Sequence, residues 1–244
     1  MSSKEGSSLK IDRSVKTLRE LTLEKMRDAI LSAYFKPGER LVERTLCDEL
    51  GVSRSIVREV LRHLETEGLV ESIPHQGPVV ATLDADKAAQ IYEIRALLEG
   101  HAARLCAERA DTALLEQLAL INSQIQAAFR AGDFHGVLQQ TSAFYELMFH
   151  GSGQSMAWEI VQSLNARINR LRAMTISSSG RAAEAAEEMR LLVDALQKRD
   201  AQAAHDASVA HVRRVASIAA RKLAELAEES DQAAAQSGDL ARAP

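Results

Sequence analysis

Cysteine occurs only twice, as Cys47 and Cys106, and each falls in a stretch with helical periodicity. Neither a disulfide framework nor a cysteine-based zinc site can be built from them. No run approaches the ~20 uninterrupted apolar residues that a membrane-spanning helix requires. The stretch Met1 to Lys10 is too polar for a secretory signal, so a cytoplasmic protein is expected. Aromatic residues are scarce, at 4% of the chain, while alanine is abundant, a composition suited to closely packed helices. Also missing are a nucleophile elbow, a phosphate-cradling glycine-rich loop and the paired Glu-x-x-His of a di-iron bundle. Their absence argues against catalysis and against a cofactor.

What is present is unevenly spread. At 244 residues the chain can form two cores. Residues 1–82 carry 13 basic and 13 acidic side chains, and the remainder 17 and 21. A neutral head beside an acidic body does not read as an unspecific polycation; clustered arginines on such a head favour docking in one orientation.

The head is expected over residues 14–82, after a flexible stretch 1–13. Leu46 and Leu50 give one helix an apolar stripe, Gly51 suits the left-handed conformation that ends it, and Ser53 suits the cap of the next. In that second helix Ile56, Val57, Val60, Leu61 and Leu64 share one face, while Arg54, Arg58 and Arg62 recur every four residues on another. After Gly68, two short apolar runs flank Pro74-His75-Gln76-Gly77-Pro78, a hairpin-like wing. An arginine every four residues on an isolated helix is most simply a solvated face. Joined to the turn, the cap and the wing, it reads as a winged helix-turn-helix whose arginines reach guanine edges or phosphates.

Phe35-Lys36-Pro37-Gly38-Glu39-Arg40-Leu41, then Glu43-Arg44, then Val52 to Leu61, then Leu64 to Val70 resemble the N-terminal domain of GntR-family transcription regulators. The resemblance implies that Arg44, Arg54 and Arg58 contact DNA and that Gly77 is the wing-tip glycine. Ser53, Ser55 and Gln76 complete the expected DNA-facing set.

From Asp84 to about Glu228 only helical periodicity is found, broken by Asp111-Thr112, Gly132-Asp133, Gly151-Ser152-Gly153 and Ser177-Ser178-Ser179-Gly180. The fold class is therefore mainly α: a winged helix-turn-helix followed by an antiparallel bundle of six helices. The fourth is expected over 154–175 with Ile160, Leu164, Ile168 and Leu171 inward, and the first buries Ile91, Ile94, Leu98 and Leu105. The polar, alanine-rich tail 229–244 is expected to be disordered. The order Ile91 to Glu99, Gly132-Asp133, Gly151 to Gln154, Ala195 to Asp200 and His211 resembles the FCD ligand-binding domain of the FadR-type branch of the same family. Six helices resemble its VanR-like variant.

Many domains of that type hold a divalent metal between an Asp and three His. Aligned on the two glycine breaks, this chain offers Thr141, Tyr145, Met189 and His211 at those places. Hydroxyl, phenol and thioether are poor ligands for such ions, so no bound metal is expected. A register shifted by five residues would instead offer Glu146, His150 and His211, the alternative of a metal-dependent regulator.

Without a metal, side chains alone must hold an effector. Arg95 is the first candidate, because a guanidinium in an apolar helical register clamps a carboxylate bidentately; its simpler reading is an ion pair with Glu99. Tyr145 and His211 add hydrogen bonds and Thr141 and Met189 line the wall, although Met189 also suits plain core packing and His211 a satisfied histidine. The resemblance implies a regulator, most often a repressor, that binds an inverted repeat as a homodimer and responds to a small organic acid.

Overall fold

The computed structural model describes residues 16–82, 84–176, 178 and 180–240. The expected flexible stretch 1–13 and the last four residues of the tail lie outside the described residues. The chain divides between Val80 and Ala81 into two compact units.

The first unit contains α1 (Leu18–Leu31), α2 (Glu43–Leu50), α3 (Arg54–Thr66), β1 (Val70–Ile73) and β2 (Gly77–Val80). A capping box starts α1: the Thr17 side chain accepts from the Glu20 amide, and the Glu20 carboxylate accepts from the Thr17 amide at 2.7 Å. Gly51 ends α2 in the left-handed region at φ 65°, and Ser53 caps α3, as the sequence suggested. Their apolar faces meet in one core around Met26, Ile30, Leu46, Val57, Val60 and Leu64. β1 and β2 pair antiparallel with Val70 opposite Val80 and Ile73 opposite Gly77. The residues around Arg40 bridge the other edge of β2, where Leu41 N donates to Pro78 O at 2.8 Å. β2 is thereby held on both edges, by β1 and by the segment around Arg40.

The second unit is helical among its described residues: α4 (Ala85–Arg109), α5 (Thr112–Ala131), α6 (Phe134–Ser152), α7 (Ser155–Ser163), α8 (Asn165–Ile176), α9 (Arg181–Gln197) and α10 (Ala201–Leu240). Asp84, Asp111 and Asp133 each cap the helix that follows them, and Gly132 and Gly153 close α5 and α6 in the left-handed conformation. Gly100 of α4 lies against α10, where an added Cβ would stand 2.7 Å from Val209 Cγ2. The core is apolar and centres on Phe144, Met148, Phe149, Ile168, Leu171 and Leu192.

Three expectations change. The helix expected over 154–175 is broken at Leu164 into α7 and α8, giving seven helices where six were foreseen. Ser163 Oγ donates to Ile160 O at 2.7 Å, and such local side-chain bonds compete with the helical ladder. With this break, helix number no longer favours the VanR-like variant. Ile160, foreseen as buried, is 48% exposed, and Ile94 on α4 is exposed as well. Finally α10 continues through 229–240, where composition predicts a disordered tail; the segment is rich in alanine, the strongest helix former, and holds no proline.

Candidate functional site

Two sites arise, one in each unit. In the first, Arg44 stands one residue inside α2, and Arg54, Ser55 and Arg58 occupy the first turns of α3; all four are exposed. Arg44 and Arg54 make no ion pair among the described residues. Arg58 does: its Nε lies 2.9 Å from both carboxylate oxygens of Glu43, with the pair open to solvent. The hydrogen bond that Arg58 donates to Glu43, then the charge of that carboxylate, raise the affinity of Arg58 for its proton. Ser53 spends its hydroxyl on the cap, accepting from Ile56 N at 3.5 Å.

The wing differs in detail from the sequence reading. Gln76 N donates to Ile73 O, so the turn comprises Ile73-Pro74-His75-Gln76, with His75 at φ 67°. Proline second and a positive φ third are the type II pattern. Gln76 is exposed as expected, but Gly77 is already paired in β2, and the apex residue is His75, which sequence reasoning missed. The signal for it is faint, because Gly is the usual residue at that place and draws attention to Gly77 instead.

In the second unit a cavity of about 50 Å³ lies among the helices. Arg95, Thr141, Met189 and His211 line it together, as the sequence suggested. Tyr145 is buried beside them, with Arg95 Cζ 5.9 Å from its ring centroid. Arg172 and Arg181 line the same cavity and were not foreseen.

Ion pairs organise this site. Arg95 is fully buried and meets Glu99, one helical turn later, through Nε at 2.7 Å and Nη2 at 3.2 Å. The simpler reading of Arg95 is therefore present, yet its Nη1 is buried without a hydrogen-bond partner. Burial would weaken the charge of Arg95, but the Glu99 carboxylate more than offsets this. Arg181 donates both Nη groups to Glu188 at 2.9 and 2.8 Å. His211 Nδ1 sits 2.6 Å from the same carboxylate. Since a carboxylate only accepts, Nδ1 carries the proton and the neutral ring keeps Nε2 as an acceptor. Burial pushes His211 below its ordinary 6.5 despite Glu188. Burial also opposes the charge on Glu188, but the bonds from His211 and Arg181 hold it down to about 2. Tyr92 and Tyr145 hydroxyls are buried without partners, and burial raises both, Tyr92 to about 12.

The residues do not fit the metal that related domains hold. Thr141, Tyr145 and Met189 bring no carboxylate or imidazole, and His211 is engaged by Glu188. The shifted set is not assembled either: Glu146 and His150 are exposed while His211 is buried. Among the described residues no three His, Cys, Asp or Glu side chains are grouped to hold an ion. Likewise, no helix among them is long and apolar enough to cross a membrane.

Known proteins share this organisation. Residues 18–80 match the gntR family of bacterial regulatory proteins, and residues 90–214 match the FCD domain. The HTH-type transcriptional regulator YdhC of Bacillus subtilis is 29% identical over 192 residues, spanning 76% of this chain and 84% of its own. The HTH-type transcriptional repressor RspR of Escherichia coli is 24% identical over 190 residues, spanning 78% and 83%. The solved structure of E. coli McbR superposes with a TM-score of 0.65 at 23% identity, covering 88% of this chain and all of that one, a likeness of fold. A winged helix-turn-helix matching one family and a helical unit matching its ligand-binding partner together establish that the chain belongs to the GntR family of transcription regulators, with an FCD domain.

Proposed function

We propose that the protein is an effector-responsive repressor that binds an inverted-repeat operator as a homodimer. The observation that carries this reading is the exposed arginine face of the first unit: Arg44, Arg54 and Arg58 on two helices fixed by a Gly51 turn, beside a wing with Gln76 and Gly77. With two-fold symmetry, two copies of α3 enter successive major grooves, and the half-sites lie roughly one helical turn apart or somewhat closer. The similar RspR of Escherichia coli is a transcriptional repressor.

The second unit supplies the trigger. Arg95, Thr141, Met189 and His211 line a small cavity with Tyr145 buried beside them, and the unpartnered Nη1 of Arg95 suits a carboxylate. Binding there shifts the bundle between arrangements that hold the DNA-reading heads differently and so changes operator affinity.

Dimerisation is assigned to an apolar groove of about 570 Å³ between α4 and α10, floored by Ala88, Ala216 and Leu223. Leu97 stands at its edge, 73% exposed. A protruding leucine beside a groove on one face is the self-complementary pattern that a two-fold interface needs. Glu93 and Arg213 line the groove from opposite helices and make no ion pair among the described residues, so a second copy turned by two-fold symmetry can pair them.

The test is selection of duplexes from a random pool by the purified protein, followed by footprinting. A protected two-fold symmetric site supports the reading; retention of DNA without any preferred sequence refutes it. Ligand response is then read on that duplex, and metal content by mass spectrometry: a stoichiometric ion would favour the metal-dependent alternative.

A further inference from the structure

We propose that Arg172 is the anchor of an anion site in the bundle cavity, and that the ligand is a short organic acid carrying a single negative charge. This deepens the effector reading given above and rests on it for the cavity's role. Three guanidinium groups line the cavity, those of Arg95, Arg172 and Arg181. Two are matched: Arg95 by Glu99 and Arg181 by Glu188. Arg172 is not. It donates Nη1 to the neutral Asn169 Oδ1 at 3.0 Å, and among the described residues no carboxylate pairs with it.

Neither His211 nor Glu184 changes the balance of the cavity lining. Burial works against a charge on His211, whose Nδ1 is bound to Glu188. Glu184 stands 4.0 Å from Arg181 but gives its carboxylate to Arg214 at 2.6 and 3.1 Å, in an exposed pair. The cavity groups thus sum to one surplus positive charge, located on Arg172. Burial, and then the charge of Arg95, bring this guanidinium down to about 10, far below where an arginine ordinarily stands. An uncompensated cation out of full contact with water is unfavourable unless an anion joins it.

The second cation points to the same place. Arg95 and Arg172 both flank the Tyr145 ring, with Cζ atoms 5.9 and 5.1 Å from its centroid. Arg95 is 1% exposed, lines the cavity, and has Nη1 without an acceptor. A carboxylate lodged between them satisfies both guanidinium groups. One negative charge neutralises the site, whereas a second leaves it net negative in a low-dielectric setting. Size adds a limit. At about 50 Å³, against the ~10–15 Å³ that admits one water, the cavity takes a handful of non-hydrogen atoms. Ile125, Val137 and Val215 on its wall suit a short alkyl end.

The experiment uses the full chain, with propionate and malonate as probes at matched ionic strength, read by thermal unfolding. Propionate should raise the midpoint of the wild type and malonate should not. Arg172→Met should raise the midpoint without any ligand and should no longer respond to propionate. Arg172→Lys, which keeps the charge without the fork, should respond more weakly than the wild type. The proposal is overturned if propionate has no effect, if malonate stabilises as well as propionate, if Arg172→Met keeps the response, or if that variant is less stable than the wild type without ligand. Operator affinity measured in parallel separates the two readings. Arg172-dependent stabilisation with unchanged DNA binding leaves the anion site standing and removes its role as a trigger.

Discussion

Arg58 Nε lies 2.9 Å from both oxygens of Glu43, so the first residue of α2 holds an arginine of α3 that we propose faces DNA. Only Nε is used, which leaves both Nη groups for a phosphate or a guanine edge. An exposed pair of this kind is screened by solvent and adds little to stability. Glu43→Gln should therefore leave the unfolding midpoint nearly unchanged while raising operator affinity, because it removes a competing anion. Weaker binding in anisotropy titrations would mean that Glu43 orients Arg58 for DNA instead of competing for it.

The Arg95 and Glu99 pair behaves differently because it is buried. Removing one partner strands a charge, so Glu99→Ala should destabilise the protein by roughly 3–5 kcal/mol in urea unfolding. Replacing both, as Arg95→Met with Glu99→Leu, should cost much less. Equal losses for the single and double variants would show that packing, not charge pairing, dominates there. Arg95→Ala should abolish the effector response and spare operator binding without ligand, provided the measurement is made where the variant is still folded.

Acid sensitivity follows from His211 and Glu188. His211 has its folded value below the ordinary 6.5, so the unfolded chain binds more protons and stability falls as pH drops below about 6.5. Glu188, held to about 2, contributes stability above its unfolded value that is lost as pH falls towards 2. Both effects act in the same direction. Unfolding midpoints recorded from pH 8 to pH 4 should decline on the acid side, and His211→Gln should flatten the part of the curve just below pH 6.5. An unaltered slope in that variant would contradict the assignment.

Leu97, at the edge of the groove between α4 and α10, tests the dimer surface. Leu97→Glu places a charge within the proposed interface and should yield monomers in light scattering, with helicity retained. A persistent dimer would place the interface elsewhere.

The helix-turn-helix was legible because its signals are local: Gly51 and Ser53 mark a stop and a start, and period 3.6 sorts the apolar residues from the arginines of α3. The aspartate caps and glycine stops of the bundle were visible for the same reason. The break at Leu164 was not, since it carries neither glycine nor proline and depends on a serine bonding to the preceding turn. That break also separates Ile160, exposed, from Ile168, buried. In the cavity, Arg95 stood out against an apolar helical register, whereas His211 was marked only by its place in the family resemblance. Arg172 was hidden in the run Arg167-Ile168-Asn169-Arg170-Leu171-Arg172, where three cations of one helix look alike until packing distinguishes them. Arg181 follows a serine-rich loop and reads from sequence as a surface residue; only its pairing with Glu188, seven positions on, reveals it as buried.

The measurement that bears most directly on the account is equilibrium binding of the selected inverted repeat to the wild type and to the Arg44→Ala, Arg54→Ala and Arg58→Ala variants. Each arginine that reads bases should cost roughly 1–3 kcal/mol of operator affinity, with thermal unfolding unchanged. Wild-type affinity in all three folded variants would contradict the assignment of this face to DNA.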